Sequence, residues 1–75
     1  METLLEILND IRGDVDFENT TDLVDGKYID SLTVLQIIAE INDEYDIQVP
    51  AEEIIPANFN SVQGMWDMIQ RLQDE

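Results

Sequence analysis

Residues 31–45 read SLTVLQIIAEINDEY, and no other stretch of the chain constrains its fold as tightly. At a helical step of about 100° per residue, Val34, Ile37, Ile38, Ile41 and Tyr45 gather on one arc, which is a face built for a core. Asp30 stands where an N-cap belongs, and Ile29 and Val34 are spaced as a hydrophobic staple. A helix is therefore expected from Asp30 or Ser31 to about Tyr45, ending before DIQVP, where Pro50 terminates it.

Two more segments keep the same period. TLLEILNDIRG places Leu4, Leu8 and Ile11 on one stripe beside Ile7, with Thr3 and Glu6 as a capping box and Gly13 as the stop. NSVQGMWDMIQRL repeats Val62, Met65, Trp66, Ile69 and Leu72 after an Asn60 or Ser61 cap, and Trp66 is expected to anchor this helix against Ile37 and Ile41. A short helical turn, AEEII, stops at Pro56. No strand pattern competes. Residues 13–29 keep no period and carry turn formers, so they read as a long loop anchored by Leu23, Val24, Tyr28 and Ile29. The expected fold is all-α, a small bundle of three longer helices and one short helix, with the long loop between the first and second helices. With 75 residues the chain can bury one modest core, so residues 1–75 read as a single domain.

The second helix is too apolar for one face. Leu32, Leu35 and Ala39 extend its apolar arc to about 220°, whereas a core stripe needs little more than about 100°. They are bordered by Asp30, Gln36, Glu40 and Asp43. On one reading the loop 13–29 covers Leu32 and Leu35, or they are singly exposed leucines of no consequence; on the second reading the strip docks a transient partner whose rim is basic. Charge supports the second reading: 18 acids face three bases, a net charge of −15 that repels nucleic acid and anionic membranes and attracts basic protein surfaces.

Catalysis finds few tools here. Ser31 has no histidine in the chain to activate it, and Lys27, the one lysine, lies in a polar loop. Eighteen acids guarantee chance carboxylate pairs, so such pairs identify no acid–base machinery. An EF-hand-like spacing of Asp14, Asp16, Glu18, Asp22 and Asp25 has Asn19 where glycine is needed and Asp25 where a bidentate glutamate is needed, so no metal site is assigned. Without cysteine there are no disulfides or thiolate metal sites. METLLEILND carries acids where a signal peptide needs bases, and no apolar run approaches the roughly 20 residues of a membrane span. A soluble cytoplasmic protein is expected, with no membrane insertion.

What remains for Ser31 is its place at a helix start, where free N–H groups and the positive dipole end favour a bound or attached phosphate. LVDGKYIDSLTVLQIIAEINDEYDIQVPAEEI, with the Asp30-Ser31-Leu32 triplet, resembles the acyl carrier protein family. The ordered set runs through Asp22-Leu23 in the loop, the triplet, Tyr45, Val49-Pro50, a short helix and SVQGMWDMI, and covers essentially the whole chain. The resemblance implies a 4′-phosphopantetheine arm, taken from coenzyme A and attached to Ser31 by a phosphopantetheinyl transferase, with Asp30 and Leu32 flanking the site. It implies acyl or aminoacyl cargo carried as a thioester on the arm's thiol, and no chemistry by the chain itself. Leu32, Leu35, Ala39, Glu40 and Asp43 are implied as the face that meets an acyl- or aminoacyl-activating ligase and a downstream acyltransferase or synthase with basic docking surfaces. A monomer is expected.

DLVDGKYIDSL is longer than the compact Asp-Leu-Gly-x-Asp-Ser-Leu of fatty-acid members, and Thr33 and Gln36 stand where those members often have acids. Both features are more similar to stand-alone aminoacyl carriers, including D-alanyl carriers of teichoic acid modification. Fatty-acid, polyketide, peptide and cell-envelope pathways all stay open. An acidic helical adaptor without any prosthetic group is the rival reading, and it has no need of Ser31.

Overall fold

In a computed structural model, which describes residues 2–74, the chain is a helical bundle. Helix α1 spans Glu2–Ile11, α2 spans Ser31–Tyr45, α3 is a short turn at Pro56–Phe59 and α4 spans Val62–Gln73. A 3-10 turn, Ala51–Glu53, precedes α3. Among the described residues there is no strand. Helix α1 packs on α2 and α4, α2 also meets α4, and α3 lies against α4.

One core joins the elements. Leu4 and Leu8 of α1, Ile37 and Ile41 of α2, Phe59 of α3, and Met65, Met68 and Ile69 of α4 are fully buried. Each contributes about 1.5–3 kcal/mol through apolar surface removed from water. Sequence periodicity finds the α2 face as expected, with Val34, Ile37, Ile38 and Ile41 buried and Tyr45 half-buried. On α4 the emphasis shifts by one position: Met68 takes a core place, while Trp66 is half-buried and meets Tyr45 edge-on at 6.0 Å between ring centroids. Trp66 thus packs against the core from its partly exposed side, together with Tyr45.

Helix ends follow the expected chemistry at α2 and at the start of α4, and depart from it at α1, at Pro56 and at the AEEII turn. Asp30 caps α2, and Ser61 caps α4 by accepting the N–H of Gly64 at 3.0 Å. Helix α2 closes at Asp46, which adopts the left-handed region (φ 53) and sends its N–H to the Asn42 carbonyl, four residues before Pro50. Thr3 lies inside α1, so it forms no capping box with Glu6; the helix already starts at Glu2, whose charge suits the first turn. Pro56 opens α3 instead of closing a helix, since proline lacks an N–H that the first turn does not need. The expected AEEII helix is only the 3-10 turn.

The loop between α1 and α2 is a chain of turns, and it is nailed down by apolar side chains. Leu23 and Ile29 are buried as expected, and Val24 is half-buried. Tyr28 is not an anchor: it is 49% exposed. Val15 and Phe17 fill that role instead, both buried.

Candidate functional site

Asp30 builds the site's first feature. Its backbone is extended, its Oδ1 accepts the N–H of Thr33 at 2.9 Å, and its carbonyl accepts the N–H of Val34 at 2.9 Å. The Val34 bond is the first intrahelical bond of α2, and the Thr33 bond satisfies one of the four N–H groups that a helix start leaves without partners. The N–H groups of Ser31 and Leu32 make no bond among the described residues. Ser31 itself is exposed, at the positive end of the α2 dipole. The donated hydrogen bonds from Thr33 hold the Asp30 carboxyl below the usual aspartate range, with a smaller contribution from the Arg12 guanidinium.

Beside Ser31 opens a cleft of about 580 Å³. Ile29, Val34 and Phe59 supply buried apolar surface, Leu35, Ile54 and Ile55 form an exposed apolar rim, and Lys27, Asp30 and Ser31 lie along it as the polar groups. The wall opposite α2 comes from residues 54–56 and Phe59.

Two polar fasteners hold the wall, and sequence reasoning missed both. Asn60 accepts the N–H groups of Val24 and Asp25 on its Oδ1, each at 3.0 Å, and donates from Nδ2 to Asp25 at 3.0 Å. Its carbonyl also accepts the N–H of Leu23 at 2.9 Å. The second fastener joins the 3-10 turn, α3 and α4: Asn58 donates to the Glu53 carbonyl at 2.7 Å, and Arg71 lies 3.0 Å from the Glu53 carboxylate. An asparagine just before a helix cap is the one local signal for the first; its partners lie far along the chain.

The outer face of α2 is open. Leu32 is 72% exposed and Leu35 55% exposed, so the loop does not cover them. Ala39, Glu40 and Asp43 are also exposed. The other large exposed apolar residues among those described are Tyr28, Ile54 and Ile55, of which the two isoleucines rim the same cleft. No group of three carboxylates assembles among the described residues; Asp14 instead pairs with Arg12 at 3.1 Å, and Asp16 accepts from Asn19.

The arrangement offers an exposed hydroxyl at a dipole's positive end, with a largely apolar cleft alongside. A family described as the phosphopantetheine attachment site matches residues 2–69. The chain belongs to this carrier family. The carrier is 31% identical over 74 residues to the acyl carrier protein of Streptococcus pneumoniae serotype 4, covering 99% of this chain and 86% of the relative. It is 28% identical over 74 residues to the D-alanyl carrier protein of Lactobacillus delbrueckii subsp. bulgaricus, covering 96% and 91%. A shorter match, 44% over 52 residues, links it to the acyl carrier protein of Streptococcus thermophilus, covering 69% and 66%. No solved structure gives a significant match.

The carrier's cofactor is therefore phosphopantetheine, and proteins of this family carry cargo without themselves being catalysts. The site fits that group. An exposed hydroxyl can be substituted without disturbing the fold, two free N–H groups suit a phosphate, and the cleft gives a long flexible chain an apolar side to lie along. Among the described residues, no helix is long and apolar enough to cross a membrane.

Proposed function

We propose that Ser31 is the attachment point of the 4′-phosphopantetheine arm, and that residues 1–75 form one carrier domain that works in the cytoplasm as a monomer. The observation that supports this most is the geometry of Ser31 itself: the first residue of α2, exposed, flanked by a satisfied cap and by two unclaimed N–H groups. When attached, the arm supplies a terminal thiol that holds acyl or aminoacyl cargo as a thioester. The chain's own part is to bind, orient and present. The N–H groups of Ser31 and Leu32 face a negative charge at the helix start, Asp30 keeps that turn rigid, and the apolar rim of Leu35, Ile54 and Ile55 lines the path beyond it.

A phosphopantetheinyl transferase installs the arm, a separate activating ligase loads it, and a downstream acyltransferase or synthase takes the cargo. Leu32, Leu35 and Ala39 supply apolar contact to these enzymes, while Glu40 and Asp43 select a basic rim and speed encounter. The decisive experiment is the intact mass of wild type and Ser31→Ala after incubation with coenzyme A and a broad-specificity transferase. A gain of one phosphopantetheinyl group in wild type alone is expected. No gain in either protein would leave an unmodified acidic adaptor as the better account.

A D-alanyl cargo is the specific alternative to a longer acyl chain. It is favoured by the long approach DLVDGKYIDSL, while near full-length relatives include both D-alanyl and acyl carrier proteins. Loading assays that pit a D-alanine-activating ligase against a fatty-acyl ligase on the same arm-bearing protein distinguish the two.

A further inference from the structure

We propose that Lys27 is the counter-ion of the phosphate that joins the arm to α2, an inference that rests on Ser31 being the attachment point. Cations are scarce in this chain: Arg12, Lys27 and Arg71 are all it has against 18 acids. Arg71 is engaged with Glu53 at 3.0 Å and Arg12 with Asp14 at 3.1 Å. Lys27 makes no ion pair among the described residues, yet it lines the same cleft as Ser31 and Asp30. Among the described residues, the one cationic side chain outside an ion pair therefore sits where the family's cofactor brings a new negative charge.

The backbone holds Lys27 there. Its φ is 62, in the left-handed region that glycine occupies freely and that penalises a residue with a β-carbon. The turn that imposes this conformation is tied on both sides: the Lys27 N–H goes to the Val24 carbonyl at 3.1 Å, and the N–H groups of Tyr28 and Ile29 both go to the Leu23 carbonyl, at 2.9 and 3.1 Å. Leu23 is fully buried, so the turn is anchored in the core. A lysine at a strained position of a fixed turn, lining the same cleft as Ser31, is explained by the charge it brings. Such a pair, between a flexible ammonium and a phosphate at the water's edge, is screened by salt.

The phosphate it would meet also carries the arm, so neutralising it does two things. It offsets the repulsion between the arm and a strongly acidic protein, and it biases the first bonds of the arm toward the Lys27 side of the cleft. Lys27 acts as a positioning residue; it makes and breaks no bond.

Because Lys27 is the sole lysine, lysine-selective isotope labelling reports on it alone. The protein is loaded with coenzyme A and a transferase, and intact mass verifies attachment. At low salt the Lys27 side-chain signals are expected to shift between the unmodified and arm-bearing proteins. They should return toward the unmodified positions at about 1 M salt, where the screening length is about 3 Å. The phosphorus resonance of the arm-bearing protein should move in Lys27→Gln and stay near wild type in Lys27→Arg. Attachment with lysine and phosphorus signals indifferent to each other would overturn the role of Lys27 and leave Ser31 standing. Absence of any mass gain would overturn both.

Discussion

At Asp30, one residue performs a structural task and sits beside the functional one. Its Oδ1 accepts the Thr33 N–H while its carbonyl accepts the Val34 N–H, which fixes the first turn of α2 and leaves the donors of Ser31 and Leu32 free. Hydrogen bonds donated by Thr33, with a smaller contribution from Arg12, favour the charged carboxylate and lower its pKa below the ordinary value of 3.8. A group whose pKa is lower in the folded state stabilises the fold above its unfolded value and loses that stabilisation as pH falls through the folded value. Asp30→Asn keeps an acceptor at the cap and cannot titrate, whereas Asp30→Ala removes the acceptor too. Urea melts from pH 7 down to pH 3 should therefore rank wild type above Asn and Asn above Ala at neutral pH. The gap between wild type and Asn should close below 3.8. A gap constant with pH would show that the carboxylate's charge contributes nothing to the turn.

Among the elements, the cleft depends on how the loop and α3 are tied to the rest, and Asn60 carries most of that tie on the loop side. Its side chain makes three hydrogen bonds to residues 24 and 25. At a net 0.5–1.5 kcal/mol each, and with two of the three bonds exposed, Asn60→Ala should cost about 1.5 kcal/mol in a urea melt. Amide exchange at Val24 and Asp25 should quicken more than at Leu23, whose bond goes to the Asn60 carbonyl and survives the substitution. A loss under about 0.5 kcal/mol, below the range of a single such bond, would mean that water replaces the side chain there. This tie also marks where sequence reading stops. Helix α2, the Asp30 cap and the open faces of Leu32 and Leu35 were legible because each is a local pattern: a period, a capping residue, an apolar excess. Pro56 was misread because proline both ends helices and begins them, and here it opens α3. Val15 and Phe17 sit in a loop without period, so nothing near them signals burial. Lys27 was read as a loop lysine, and only the fold brings its turn to the edge of the Ser31 cleft.

On the scale of the whole molecule, charge and size set the behaviour. A net charge of −15 is confined to a body of 32 × 23 × 20 Å, and both ion pairs among the described residues use arginines. At about 10 mM salt the screening length is about 30 Å, so acids repel across the entire protein; at about 100 mM it is about 10 Å, and only near neighbours still repel. The unfolded chain spreads the same charge over a larger volume, so low salt favours unfolding. The melting temperature is therefore expected to climb between about 10 and about 100 mM sodium chloride, where the screening length crosses the dimensions of the fold. Calcium supplied at the same ionic strength tests what kind of effect this is. With no group of three carboxylates assembled among the described residues, calcium should raise the melting temperature little more than sodium does. A flat salt dependence would mean that the acids are already too well separated to strain the fold. A much larger response to calcium would mean that the acidic loop rearranges to wrap a cation, joining carboxylates that this fold holds apart.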